Sequence, residues 1–171
     1  MQSSQLVLQI DFFNFIVKNV LNNRVSHAQM LIGYEGSGNL NIALAYSQFV
    51  NCTNKQIFDD SSPIYADSCG ECPSCLKSAK LIHPDIHFVF PITTTKKHSK
   101  KVVSKEFYPE WRKFVQENNG FITLDDWYNF IEVENKQGII SAEECNEIIN
   151  TLNYKTFESE YKVVIIWMIE K

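Results

Sequence analysis

The segment Gly33-Tyr34-Glu35-Gly36-Ser37-Gly38-Asn39-Leu40 constrains this chain more than any other, because Gly33 and Gly38 keep the G-x-x-x-x-G spacing of a phosphate-binding loop. Its flanks suit that reading. Ala28-Gln29-Met30-Leu31-Ile32 reads as a short buried strand, and residues 39–50 read as a helix. Strand, glycine loop and helix are the context the motif requires. In a working loop, backbone N–H groups cradle the phosphates, a Lys neutralises their oxygens, and a Ser or Thr hydroxyl ligates Mg²⁺. Here Asn39 carries no charge and Leu40 has no metal-binding atom. A hydrogen bond to a charged group contributes roughly 1.5–3 kcal/mol, so losing both partners weakens nucleotide binding at least about a hundredfold. Gly33, Gly36, Gly38, Asn39 and Leu40 therefore read as a degenerate, non-functional loop, with ATP and Mg²⁺ not expected as cofactors. A plain glycine turn is the alternative reading of these residues.

The far end of the chain carries the matching change. Tyr161-Lys162-Val163-Val164-Ile165-Ile166-Trp167-Met168 is a continuous apolar run rich in β-branched residues. It reads as a fully buried strand of a parallel sheet. In an active ATPase of this kind such a strand ends in an acidic pair that serves Mg²⁺ and water. Trp167 and Met168 stand in those places, and Glu170 lies beyond them.

Between these segments Cys52, Cys69, Cys72 and Cys75 are spaced C-x16-C-x2-C-x2-C, with Gly70 and Pro73 set to turn the chain. Four sulfurs so spaced suit tetrahedral Zn²⁺, and a site with four protein ligands has no open position, so the metal is expected to be structural. Disulfides are the rival. The absence of a signal peptide or an apolar span favours a reducing cytosol. Cys145 lies in a predicted helix over residues 142–152 whose apolar face is Ile148, Ile149 and Leu152. It reads as a buried core thiol.

In this order the residues resemble the AAA+ subunits of bacterial DNA polymerase III clamp loaders. Ser26-His27-Ala28-Gln29-Met30-Leu31-Ile32-Gly33 is similar to the family's approach to its phosphate loop. Cys69-Gly70-Glu71-Cys72-Pro73-Ser74-Cys75 closely resembles its inserted zinc module, and His83-Pro84-Asp85 and Tyr161-Lys162-Val163-Val164-Ile165-Ile166 also match. Motor subunits keep the Lys and the acidic pair, whereas the delta-prime branch often lacks them. Asn39, Leu40, Trp167 and Met168 thus point to delta-prime.

The resemblance implies an α/β P-loop fold, a parallel sheet with flanking helices, with the four-cysteine module at residues 51–76 inside a partial AAA+ domain over residues 1–171. It implies a subunit without intrinsic ATPase activity in the bacterial cytoplasm. That subunit assembles with motor and delta-type partners in a hetero-pentamer that loads the sliding clamp on primed DNA. It also implies an arginine finger, yet Arg24 and Arg112 are the only arginines and neither stands at a matching position.

The resemblance covers residues 5–93 and 137–171. The chain stops where the family continues into a sensor strand, so it reads as an N-terminal piece whose sheet is incomplete. Unpaired strand edges invite self-association.

Residues 94–136 read as an insertion. Lys96, Lys97, Lys100, Lys101 and Lys105 precede Phe107, Tyr108, Trp111, Phe114, Phe121, Trp127, Tyr128 and Phe130. A basic run beside aromatics grips phosphates and stacks bases in some proteins, and is a solvated loop over a small core in others. Ser104 and Thr123 read as N-caps of helices over residues 105–117 and 124–131, packing as an appendage. A helix over residues 6–21 with a core stripe, a helix over 73–81 and a strand over 85–90 complete the outline. His27 reads as a turn residue, and His83 and His87 as bystanders to the metal.

A chain of 171 residues with 44% hydrophobic content buries one core. Its net charge of −4 argues against a wholly basic nucleic-acid binder. The alternatives are an ATP-hydrolysing motor subunit of the same loader, a zinc-containing nucleic-acid binding module, and a purely structural zinc domain.

Overall fold

The computed structural model describes residues 9–34, 36–59, 62–95, 97–98, 102–133 and 137–171. The chain divides into two compact units, Met1–His83 with Ser159–Tyr161, and Pro84–Glu158 with Lys162–Lys171.

In the first unit, helix α1 (Ile10–Leu21) turns Phe13, Ile16, Val17 and Val20 inward, as their helical spacing dictates. The part of the predicted helix before Gln9 lies outside the described residues. Helix α2 (Asn39–Val50) packs against that stripe through Ile42, Ala45, Phe49 and Val50. Phe13 and Phe49 meet edge to face at 6.5 Å. A short antiparallel pair follows, β1 (Gln56–Ile57) with β2 (Ala66–Asp67), and Ala66 joins the core of α1 and α2. Helix α3 (Pro73–Ala79) starts on Cys72, whose sulfur accepts the Cys75 N–H, with Pro73 in the first turn, where its missing N–H costs nothing.

Residues 28–32, expected as a buried strand, form no strand. A strand is held by a ladder, and none of the described residues forms one with this segment. Met30 and Ile32 are 68% and 86% exposed, while Leu31 alone packs against the α1–α2 core.

The second unit holds the parallel pair. Strands β3 (Ile86–Val89) and β4 (Val163–Ile166) run side by side, with Ile86 opposite Val163 and Val89 opposite Ile166. The expected fully buried strand over residues 161–168 is shorter, and within it only Ile165 is buried. With β3 on one side and no further strand among the described residues on the other, β4 is half-covered.

The chain between β3 and β4 carries a 3-10 turn (Ser104–Phe107), α4 (Tyr108–Glu117), α5 (Leu124–Phe130) and α6 (Ala142–Asn153). Phe107, Trp111, Phe114 and Trp127 are buried in the core of this unit rather than in an appendage, while Phe121 is exposed. Trp111 stacks on Phe90 at 4.1 Å and meets Trp127 edge to face at 5.3 Å and Trp167 at 5.4 Å. The buried Trp127 indole N–H donates to the Pro91 carbonyl at 2.9 Å. Thr123 caps α5 as its sequence position implies, accepting the Asp126 N–H. Ser104 caps nothing with its side chain; its hydroxyl turns to Phe90 instead.

Helix α6 corrects the expected apolar face. Cys145 is exposed, and Ile149 and Leu152 are 56% and 53% exposed. The side turned inward is one residue earlier, through Glu144, Ile148 and Thr151. On that side the Glu144 carboxylate accepts the Ser104 N–H at 2.6 Å. The Lys162 ammonium closes the C-terminal end by donating to the carbonyls of Thr151, Tyr154 and Lys155.

Candidate metal centre and glycine loop

The end of α2, the turn after β2 and the start of α3 bring Cys52, Cys69, Cys72 and Cys75 together, their sulfurs all within 4.8 Å of one another. Cys52 and Cys69 sulfurs are 3.7 Å apart, and those of Cys69 and Cys75 4.0 Å. Those separations are far longer than a disulfide. A tetrahedral Zn²⁺ with Zn–S of about 2.3 Å spaces its sulfurs by about 3.8 Å, so the set fits that ion.

Local backbone makes the cluster. Gly70 takes φ +75°, a left-handed turn that suits glycine. The turn lets the N–H groups of Cys69, Cys72 and Cys75 point at the sulfurs of Cys52, Cys69 and Cys72. Burial works against the Cys72 thiolate, but donors from Cys75 and Thr53 outweigh it and pull that thiol down to about 6. Burial pushes the Cys75 and Cys52 thiols up, and the neighbouring sulfurs of Cys72 and Cys52 add to it at Cys75. Four anionic sulfurs at this spacing repel one another, and a divalent cation relieves that repulsion.

Two residues beside the ligands were not singled out by their sequence pattern. The Asn51 side chain, next to Cys52, accepts the Tyr161 N–H at 3.3 Å and donates to the Tyr161 carbonyl at 3.1 Å. The Ser74 hydroxyl, next to Cys75, lies 3.1 Å from the buried His83 Nε2, and Ser159 lies equally close to the same nitrogen. Both tie residues 159–161 to the cysteine module across more than 70 positions of chain, which no short-range motif signals.

In the glycine loop, Gly36 and Gly38 take φ +74° and +85°, and Gly38 is the N-cap of α2. Gly33 is held close: a Cβ there would lie 2.6 Å from Asn39 Nδ2 and 2.7 Å from Ser37 Oγ. The Asn39 amide thus folds back against the start of the loop. Leu40 is buried, so the position that needs a hydroxyl for Mg²⁺ packs into the protein. The loop turn and the helix after it are present; the strand before it is not.

Of the lysines considered for DNA contact, Lys96, Lys100 and Lys101 lie outside the described residues. Lys97 pairs with Glu110. Burial pushes the Glu110 carboxyl up, but the Lys97 ammonium, the backbone N–H of Glu110 and His98 together outweigh it and hold the carboxyl below its usual range. Lys105 is exposed. Phe107, Trp111, Phe114 and Trp127 are buried in the core and present no ring for a base to stack on.

A family model described as DNA polymerase III, delta subunit, matches residues 8–171, nearly the whole chain. The chain belongs to that family. It is a clamp-loader-type subunit associated with the DNA polymerase III holoenzyme and serves DNA replication. No curated protein and no solved structure matches the chain. Among the described residues no helix is long and apolar enough to cross a membrane.

Proposed function

We propose that this chain is a delta-prime type clamp-loader subunit that takes part in loading the sliding clamp on primed DNA without hydrolysing ATP itself. The observation that carries the reading is Leu40, buried at the position where a nucleotide-bound Mg²⁺ needs a hydroxyl. Asn39 supports it, because its amide folds back over Gly33 where a phosphate-neutralising ammonium is required. Trp167 supports it further. At the place of the acidic pair, its ring packs on Trp111.

Cys52, Cys69, Cys72 and Cys75 hold a structural Zn²⁺ in this reading. The ion ties the end of α2 to the start of α3 and contributes folding free energy rather than chemistry. The subunit's partners are the motor and delta-type subunits of the loader, and through them the clamp and DNA.

The test is calorimetric titration of ATP–Mg²⁺ into this protein, with a motor subunit of the loader as positive control. No detectable heat at millimolar nucleotide is the expected result. Micromolar binding would replace this reading with the ATP-hydrolysing motor subunit.

A further inference from the structure

Parallel pairing with β4 uses the backbone groups on one side of β3. The Val163 N–H donates to the Asp85 carbonyl, and the Trp167 N–H to the Val89 carbonyl. Alternation along a strand turns the N–H and C=O of Phe88 and Phe90 to the opposite edge. An unpaired edge of this kind is a template for another strand, and buried backbone groups left unpaired are destabilising.

These four groups are already taken, each residue's pair by a single hydroxyl. Tyr108 Oη accepts the Phe88 N–H at 3.0 Å and donates to the Phe88 carbonyl at 3.1 Å. Ser104 Oγ accepts the Phe90 N–H at 3.1 Å and donates to the Phe90 carbonyl at 3.2 Å. Each hydroxyl makes the two bonds that a neighbouring strand residue would make. The mimic is held in place: Ser104 by Glu144 through its own N–H, and Tyr108 by ring contacts with Phe88 and Phe90 at 6.2 and 6.5 Å.

We propose that Ser104 and Tyr108 are an edge seal, a two-hydroxyl substitute for a strand that closes β3 against strand addition by a second copy of this chain. The seal gives the 3-10 turn and the start of α4 a role separate from nucleotide and metal. A strand arriving at this edge must first displace both hydroxyls, so sheet growth at β3 is blocked while they stay.

The test is residue-resolved amide exchange in the whole chain and in Tyr108→Phe, Ser104→Ala and the double variant, with sedimentation velocity on each. In the unaltered chain the Phe88 and Phe90 amides are expected to be protected, although neither faces β4. Tyr108→Phe keeps the ring and should speed exchange at Phe88 by about tenfold while Phe90 stays protected; Ser104→Ala should do the reverse. The double variant should associate at lower concentration than the unaltered chain. Rapid exchange at both amides in the unaltered chain would overturn the seal, as would unchanged Phe88 protection in Tyr108→Phe. An unshifted association curve for a folded double variant would overturn its role against strand addition. If the double variant does not fold, Tyr108→Phe decides alone.

Discussion

At the scale of single residues, two buried polar groups set measurable terms in stability. Asn41 on α2 is 1% exposed, and neither atom of its amide has a hydrogen-bond partner among the described residues. An unsatisfied buried amide is destabilising by about 1–3 kcal/mol, so Asn41→Leu should raise stability by roughly that amount. A higher urea midpoint at unchanged slope is the expected reading, and a lower midpoint would show that the amide is in fact satisfied. Glu144 acts in the opposite direction with pH. Its carboxyl is pushed above the usual range by burial first and by Glu147 in addition, against the pull of the Ser104 N–H. Between the ordinary carboxylate value and the raised one, the folded chain holds a proton that the unfolded chain has released. Stability is therefore fully present below that window and falls as pH rises through it. Glu144→Gln keeps an acceptor for Ser104 and should flatten that slope, measured as urea midpoints from about pH 4 to about pH 8. Parallel curves for the two proteins would refute the assignment. Neither effect is legible in sequence, where Asn41 is an ordinary helix residue and Glu144 an ordinary surface acid.

At the scale of elements, α6 and the cysteine module show which patterns carry information. The expected face of Ile148, Ile149 and Leu152 with Cys145 is as regular as the stripe of α1, yet of these only Ile148 is partly covered, and it is Glu144 that is buried, on a backbone donor from Ser104, distant in sequence. Periodicity measures the presence of an apolar face, not whether anything covers it. The cysteines differ. Three of the four lie within a single turn and the start of α3, so spacing alone places them together. Their bond network also makes a prediction. With Zn²⁺ bound as proposed, its chelation, or Cys75→Ser, should loosen Asn51 and Ser74 beside the cysteines and so release residues 159–161. The Tyr161 amide, held by Asn51, should then exchange faster, and restoring Zn²⁺ to the unaltered chain should reverse the change. Exchange at Tyr161 that ignores the metal would sink this coupling.

At the scale of the whole molecule, the residues on which the proposed loss of ATPase chemistry rests fall in different units, Asn39 and Leu40 in one and Trp167 in the other. Trp167 is part of an aromatic core with Trp111, Phe90 and Trp127. Placing an acid there has a structural consequence. Trp167→Asp should destabilise the chain by about 2–4 kcal/mol, since it removes half-buried ring contacts and sets a carboxylate against Trp111. A thermal midpoint unchanged from the parent would mean that Trp167 is dispensable to the core. The same core explains the aromatics of residues 107–130. Their helical spacing is equally compatible with base stacking and with packing, and burial decides for packing at Phe107, Trp111, Phe114 and Trp127.

Local chemistry was enough to specify the glycine turns at Gly36 and Gly38, the α1 stripe, the Thr123 cap and the four cysteines. Each of these depends on interactions within a few residues or on one face of one helix. What tertiary structure decided were the matters that need a distant partner. Residues 28–32 have strand composition but no ladder among the described residues, and β4 is half-covered for want of a second neighbour. Ser104 has the chemistry of a cap, but the free backbone edge of β3 claims its hydroxyl. A hydrogen-bonding group takes the partner that the fold brings within reach, and sequence spacing alone does not say which partner that is.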